Sequence, residues 1–228
     1  MTTSAPVITI DGPSGTGKGT VALWLKRQLG WHLLDSGSLY RVLGLAATRQ
    51  NVGFENVTEL ADLARSLSLE FGESEGGVRV ILDASDVTDA IRTEECGAAA
   101  SQVAAVPEVR EALLQRQHDF LRAPGLVADG RDMGTVVFPA APLKIFLTAS
   151  AEERARRRYK QLIEKGMGVN LARLLEDITE RDERDRQRAV SPLKPAADAI
   201  VLDTTHASVC DVEDEVKRLA AERGLWPN

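Results

Sequence analysis

The stretch from Val7 to Leu29 constrains the fold more than any other part of the sequence. Val7 to Ile10 is a short apolar, β-branched run halted by Asp11-Gly12-Pro13, which predicts a buried strand entering a loop. Val21, Ala22, Leu25 and Leu29 then recur at helical spacing, and Gly30 supplies a stop. Between strand and helix lies Gly12-Pro13-Ser14-Gly15-Thr16-Gly17-Lys18-Gly19-Thr20. That context is the one a phosphate-binding loop requires: glycines let successive amides turn inward around phosphate oxygens, the helix N-terminus adds partial positive charge, and a lysine bridges the outer phosphates. A tight turn with an incidental lysine explains the coincidence of strand, loop, Lys18 and helix less well. The implied reagent is a nucleoside triphosphate. The pattern departs from the usual spacing at Gly19, where a hydroxyl residue is expected; the hydroxyl arrives one position later, at Thr20.

Further strands are expected at His32 to Asp35, Leu126 to Asp129, Lys144 to Thr148 and Ala199 to Asp203. Helices are expected over Ser38 to Gln50, Pro107 to Arg122, Ala151 to Lys165, Leu171 to Arg188 and Val209 to Arg223, with Ser101 in an alanine-rich helix. This alternation predicts an α/β protein: a three-layer phosphate-loop fold around a central five-stranded parallel sheet. Leu67 to Phe71 and Val78 to Leu82, with a third run near Asp86 to Thr88, break the alternation and read as a small antiparallel β insert. At 228 residues the chain accommodates one large domain with appendages.

Charge narrows the partners. A net charge of −6 argues against a broad nucleic-acid footprint, so local basic clusters in this chain are expected to serve a small anion. No apolar run approaches the ~20 residues needed to span a bilayer, and Met1 to Pro6 lacks the features of a signal peptide, so no membrane association and a cytoplasmic location are expected. Cys96 and Cys210 are too isolated to suggest a disulfide framework or a zinc site.

Two further segments sit at strand ends: Asp35-Ser36-Gly37-Ser38-Leu39-Tyr40-Arg41 and Asp129-Gly130-Arg131-Asp132-Met133-Gly134-Thr135. Together with the Gly-Lys-Gly-Thr loop, Ala90-Ile91-Arg92-Thr93 and Val103 to Arg116, they make the chain resemble the bacterial cytidylate kinases along essentially its whole length. The resemblance implies a core of residues 1–35, 107–150 and 169–228, a monophosphate-binding domain over 36–106 with its insert at about 62–101, and a lid at 151–168 whose end Gly166 and Gly168 hinge. It implies ATP-dependent phosphorylation of CMP and dCMP to CDP and dCDP with Mg²⁺, by a monomer. Gly12 through Thr20, with Arg154 and Arg157, would bind ATP. Ser36, Arg41, Ser101, Arg110, Arg131, Asp132, Arg181, Asp185 and Arg188 would bind CMP. Lys18, Arg131, Arg188, Arg157 and Arg158 would act in catalysis, and Thr20 would lie near the metal, with Asp35 or Asp129 reaching it through water.

The chemistry suits those residue types. Guanidinium forks pair two phosphate oxygens at once, and Asp132 supplies the acceptor that a cytosine amino group needs where uracil presents a carbonyl. In the charge run Glu180 to Arg188, the residues Arg181, Asp185 and Arg188 share one helical face, with Arg184 and Arg186 turned to solvent and Tyr40 expected to pack. The acceptor is itself a phosphate, largely dianionic near neutrality, so no strong general base is needed; His32, His118 and His206 all lie outside the motifs. An AMP or UMP kinase of the same class, and a slow nucleotide-dependent switch, are the competing readings; the guanine-reading N-K-x-D motif is absent.

Overall fold

The computed structural model describes residues 5–74, 77–164 and 166–227. The chain divides into two compact units, one formed by the chain up to Leu34 and from Phe120 onward, the other by Asp35–Asp119.

In the first unit, β1 (Val7–Asp11), β2 (His32–Asp35), β6 (Leu126–Gly130), β7 (Leu143–Thr148) and β8 (Ile200–Asp203) form one five-stranded sheet in the order β2-β6-β1-β7-β8. The pairings of β1 with β6 and β7, and of β7 with β8, are parallel: Val7 lies opposite Leu126, Ile8 opposite Leu143, and Ile145 opposite Ile200. Every residue of β1 is buried, as a central parallel strand covered on both faces requires. One face carries Ile8 and Ile10 into a core with Val21 and Leu25 of α1 (Lys18–Leu29), Ile145 and Leu147 of β7, and Val216 and Leu219 of α8 (Val209–Glu222). The other face presents Thr9 and Asp11, both buried. Helix α8 begins on a capping box in which the Ser208 hydroxyl and the Asp211 carboxylate satisfy each other's backbone amides. Helices α6 (Ala151–Glu164) and α7 (Leu171–Arg186) pack on one another.

The second unit holds α2 (Ser36–Arg49), α3 (Val57–Ser66), a three-stranded sheet of β3 (Leu69–Ser74), β4 (Gly77–Leu82) and β5 (Ser85–Asp86), then α4 (Glu94–Val103) and α5 (Pro107–His118). Its core gathers Leu43, Leu60, Val80, Leu82, Ile91, Val103 and Leu113 from all these layers. The β insert is antiparallel as expected, Phe71 pairing with Val80 and Ile81 with Asp86. Its first strand starts later than the apolar pattern suggests. Leu67 closes α3 as its buried C-cap, because the Asn56-capped helix places Leu60, Ala61 and Ala64 on one face and Leu67 completes that stripe.

Among the described residues no helix is long and apolar enough to cross a membrane.

Candidate active site

The loop after β1 owes its shape to positions that only glycine fills. Gly12 has φ 144°, and a Cβ there would lie 2.1 Å from the Leu147 carbonyl oxygen. Gly15 and Gly17 also have positive φ, and Gly17 caps α1 in the left-handed region with no side-chain bond, leaving the first amides of the helix without a capping side chain. Lys18 is buried; its Nζ donates to the Pro13 carbonyl at 2.8 Å, and the Thr16 hydroxyl donates to the same oxygen at 3.1 Å. Burial depresses the Lys18 pKa to about 8, with Arg131 and Arg181 pushing the same way and the Asp129 and Asp11 carboxylates opposing them. A cation held this way gains on meeting an anion.

Strand β6 delivers the next group. At its end Asp129 turns a carboxylate oxygen toward the start of α1, 3.6 Å from where a Gly19 Cβ would be. Arg131 follows, its Nε donating to Asp185, while Arg188 donates through Nη2 to the other oxygen of the same carboxylate. Burial works against ionisation of Asp185, yet Arg131, Arg188 and Arg181 together hold its pKa at about 2. Arg131 is likewise raised above its ordinary value: burial opposes this, and Asp185, Asp129 and Asp182 outweigh it. Arg181 and Asp185 lie on α7 as expected, but that helix ends at Arg186, so Arg188 reaches the Asp185 carboxylate from the segment beyond it rather than from a shared helical face. Arg186 is exposed, whereas Arg184 is half-buried rather than turned wholly to solvent.

Asp132 is buried and starts a π-helical turn, Met133–Val137. The amides of Val136 and Val137 both donate to the Asp132 carbonyl, and that of Phe138 donates to Met133 at 2.6 Å. Turns of this kind are rare and recur at functional sites.

Arg154 and Arg157 of α6 have inward partners. Arg154 is buried to 2% exposure and donates from Nε to the Ala149 carbonyl, from Nη1 to the Ser14 carbonyl at 3.0 Å, and from Nη1 and Nη2 to the Asp182 carboxylate at 3.2 and 2.5 Å. Arg157 donates to Glu153, to the Thr204 hydroxyl and to the Thr204 carbonyl. Every guanidinium nitrogen of both residues is therefore engaged with protein. Arg158, more open, reaches Gln161 at 3.4 Å.

In the second unit, Asp35 caps α2, accepting from the Ser38 amide at 3.0 Å and from the Ser38 hydroxyl at 2.5 Å. The Ser36 hydroxyl donates to Gln117 at 2.8 Å. Arg41 donates to the carbonyls of Ile91 and Thr93, tying α2 to the turn before α4. Arg110 lies over the Tyr40 ring, 5.5 Å from its centroid, and donates to the Ala104 carbonyl. Ser101 is buried on α4. Tyr40 packs, as expected, with 6% exposure.

The residues expected near a metal offer hard oxygen donors and few of them. Thr20 is exposed on the first turn of α1, and among the described residues no cluster of three or more His, Cys, Asp or Glu is arranged to hold an ion. The Thr20 hydroxyl and the Asp129 carboxylate are hard oxygen donors, the kind that Mg²⁺ takes beside water and substrate phosphates.

The Cytidylate kinase family profile matches residues 8–222. The chain belongs to the cytidylate kinase family. It is 61% identical over 226 residues to a cytidylate kinase of Pseudomonas aeruginosa (strain LESB58), covering 98% of this chain and 99% of the relative. It is 62% identical over 227 residues to one from Stutzerimonas stutzeri (strain A1501), covering 99% of each.

In this cytidylate kinase family member, three residues of the site escape a reading of motifs. Asp11 accepts the Met133 and Gly134 amides, Asp182 holds Arg154, and Thr204 joins the Thr16 and Thr148 carbonyls to Arg157. Asp182 lies three residues before Asp185 on the same helical face, which is a signal in the charge run; Thr204 carries none, since its partners are distant in sequence.

Proposed function

We propose that this chain transfers the terminal phosphoryl of ATP to CMP and dCMP, giving CDP and dCDP. The observation that carries the proposal is a single charge assembly: Lys18, at the start of α1, lies within the electrostatic reach of Arg131 and Arg181, and Arg131 and Arg188 are held by one buried carboxylate. Two anions that repel each other need a preorganised cationic site, and such a site stabilises the charge that spreads over the transferring group.

In this reading the amides of Gly15 to Gly19 hold the outer ATP phosphates, and Lys18 exchanges its Pro13 carbonyl for a phosphate oxygen. Asp185 fixes the directions of Arg131 and Arg188, which meet the acceptor phosphate, and Arg181 steadies the cluster. Asp132 accepts from the cytosine amino group, with Ser101, Arg110, Ser36 and Arg41 completing the acceptor's contacts. Arg154 and Arg157 serve the loop from behind, through the carbonyl of Ser14 and through Thr204, whose hydroxyl bonds Thr16. Arg158, half-buried on α6, would meet the transferring phosphoryl. Mg²⁺, when bound, would neutralise phosphate charge, with the Thr20 hydroxyl near it; Asp129, whose carboxylate faces Gly19, would orient its waters more readily than Asp35, both of whose oxygens are engaged by Ser38. The same reading has the chain act as a cytoplasmic monomer on small nucleotides, without nucleic acid.

The test is a panel of CMP, dCMP, UMP and AMP with ATP and magnesium, following nucleoside diphosphate and ADP. CDP and dCDP formation is expected. Absence of CDP overturns the proposal; AMP or UMP as the preferred acceptor would reassign the base pocket, and ADP release indifferent to CMP would indicate a switch.

A further inference from the structure

The buried face of β1 carries polar groups that the reaction outlined above does not use. Asp11 is the last residue of the strand, 5% exposed, and its two oxygens accept from two consecutive amides, Oδ1 from Met133 and Oδ2 from Gly134, each at 2.8 Å. Those are the first amides of the π-helical turn, which no earlier carbonyl of the turn can satisfy. A carboxylate from another element therefore does what a capping residue ordinarily does. The fit is tight on all sides: a Cβ on Gly134 would come within 2.9 Å of the Thr9 hydroxyl, 3.1 Å of the Lys144 Cδ and 3.3 Å of Asp11 Oδ2. A Cβ on Gly130 would come within 2.8 Å of the Met133 side chain. Arg131 and Asp132 are thus suspended between two pinned positions.

We propose that Asp11 is a positioning residue for the acceptor nucleotide: by bridging the Met133 and Gly134 amides it sets the direction of Arg131 and Asp132. The proposal rests on the reading that Arg131 and Asp132 meet CMP. An ionised Asp11 accepts from both amides at full strength; protonation weakens one of the two bonds, and amidation puts a donor in place of one acceptor. Burial raises the Asp11 pKa to about 7; the two amides and Lys18 oppose the rise, and Asp132 adds to it. The remaining charge facing this turn is Lys144 of β7, whose Nζ is bound to Asp198 and to the Pro139 carbonyl. Acceptor binding should accordingly weaken as pH falls through about 7.

The experiment measures CMP and ATP binding by calorimetry, with kcat and KM for each substrate, from about pH 5.5 to about 8.5 in the wild type and in Asp11→Asn. The wild type is expected to show a CMP-specific limb near pH 7, beside the limb near ~6 that belongs to the CMP phosphate itself. Asp11→Asn should lose the first limb, keep the second, and raise KM and Kd for CMP about tenfold, with the ATP constants within about twofold. A wild type without the CMP-specific limb overturns the proposal, as does a variant that weakens ATP and CMP alike. Should Asp11→Asn fail to fold, the wild-type profile still decides, and Gly134→Ala is expected to give the same CMP-selective loss. Failure of the wild type to form CDP would instead strike the proposed activity, which calorimetric CMP binding tells apart.

Discussion

Replacing Arg154 by methionine removes a cation of similar length from a site with 2% exposure. The Asp182 carboxylate, itself buried, then loses its bidentate partner; its other neighbour, Arg186, is 3.8 Å away and 62% exposed, and so compensates little. Breaking a buried pair by deleting one partner costs about 3–5 kcal/mol, because a charge remains in low dielectric. The carbonyls of Ala149 and Ser14 also lose donors, at about 1 kcal/mol each where water cannot replace them. A loss of about 5–7 kcal/mol is expected, which for a chain of this size lowers Tm by at least about 10 °C. Removing the stranded charge as well, in Arg154→Met with Asp182→Leu, should recover at least about 2 kcal/mol, since an apolar pair avoids the desolvation penalty. Equilibrium urea unfolding of the wild type, both single variants and the double variant closes the cycle. A loss below about 1 kcal/mol for Arg154→Met, or a double variant no more stable than it, would refute the reasoning. Because Ser14 belongs to the phosphate loop, KM for ATP should rise in Arg154→Met more than KM for CMP.

Two further outcomes follow from the loop. Lys18 has its pKa depressed to about 8, so the unliganded protein loses this cation as pH rises through that value, and the Kd for ATP should climb by up to about tenfold per pH step above it; Lys18→Arg, which does not titrate there, should show a flat profile in the same calorimetric series. Gly12→Ala places a Cβ 2.1 Å from a backbone oxygen of β7 at φ 144°, so the loop must shift; a kcat/KM loss of about 100-fold or more is expected with the sheet retained by circular dichroism, and near-normal turnover would contradict the geometry.

Much of the phosphate half of the molecule is legible in the sequence, because its signals are local. Val7 to Ile10, the glycines and the helical spacing through Leu29 act over a few residues, and strand, loop and helix stand where that pattern puts them. The spacing of Arg181 and Asp185 on α7 is local in the same way, whereas Arg188 pairs with Asp185 from beyond the end of that helix, which periodicity does not foretell. The partners of Arg154 and Arg157 were not legible: Asp182, Ser14 and Thr204 lie 28, 140 and 47 residues away, and a basic helix with inward arginines has the same spacing as one with outward arginines. The turn at Met133–Val137 was hidden too, since its short apolar run suggests no period, and what holds it is a carboxylate 122 residues upstream. Helix α3 carried a readable signal in Asn56 and the Leu60, Ala61, Ala64 stripe, but the β-like residues after it drew the first strand of the insert two residues early, at Leu67 instead of Leu69.

The two hydrophobic clusters share no residue: one draws on Tyr40 to Leu113, the other on β1, α1, β7 and α8. The chain is therefore written like a sentence with a parenthesis, in which Asp35–Asp119 opens and closes inside a frame that continues from Leu34 to Phe120. Cavities cut in the bracketed part therefore subtract from an apolar cluster of its own, and cavities cut in the frame subtract from the other.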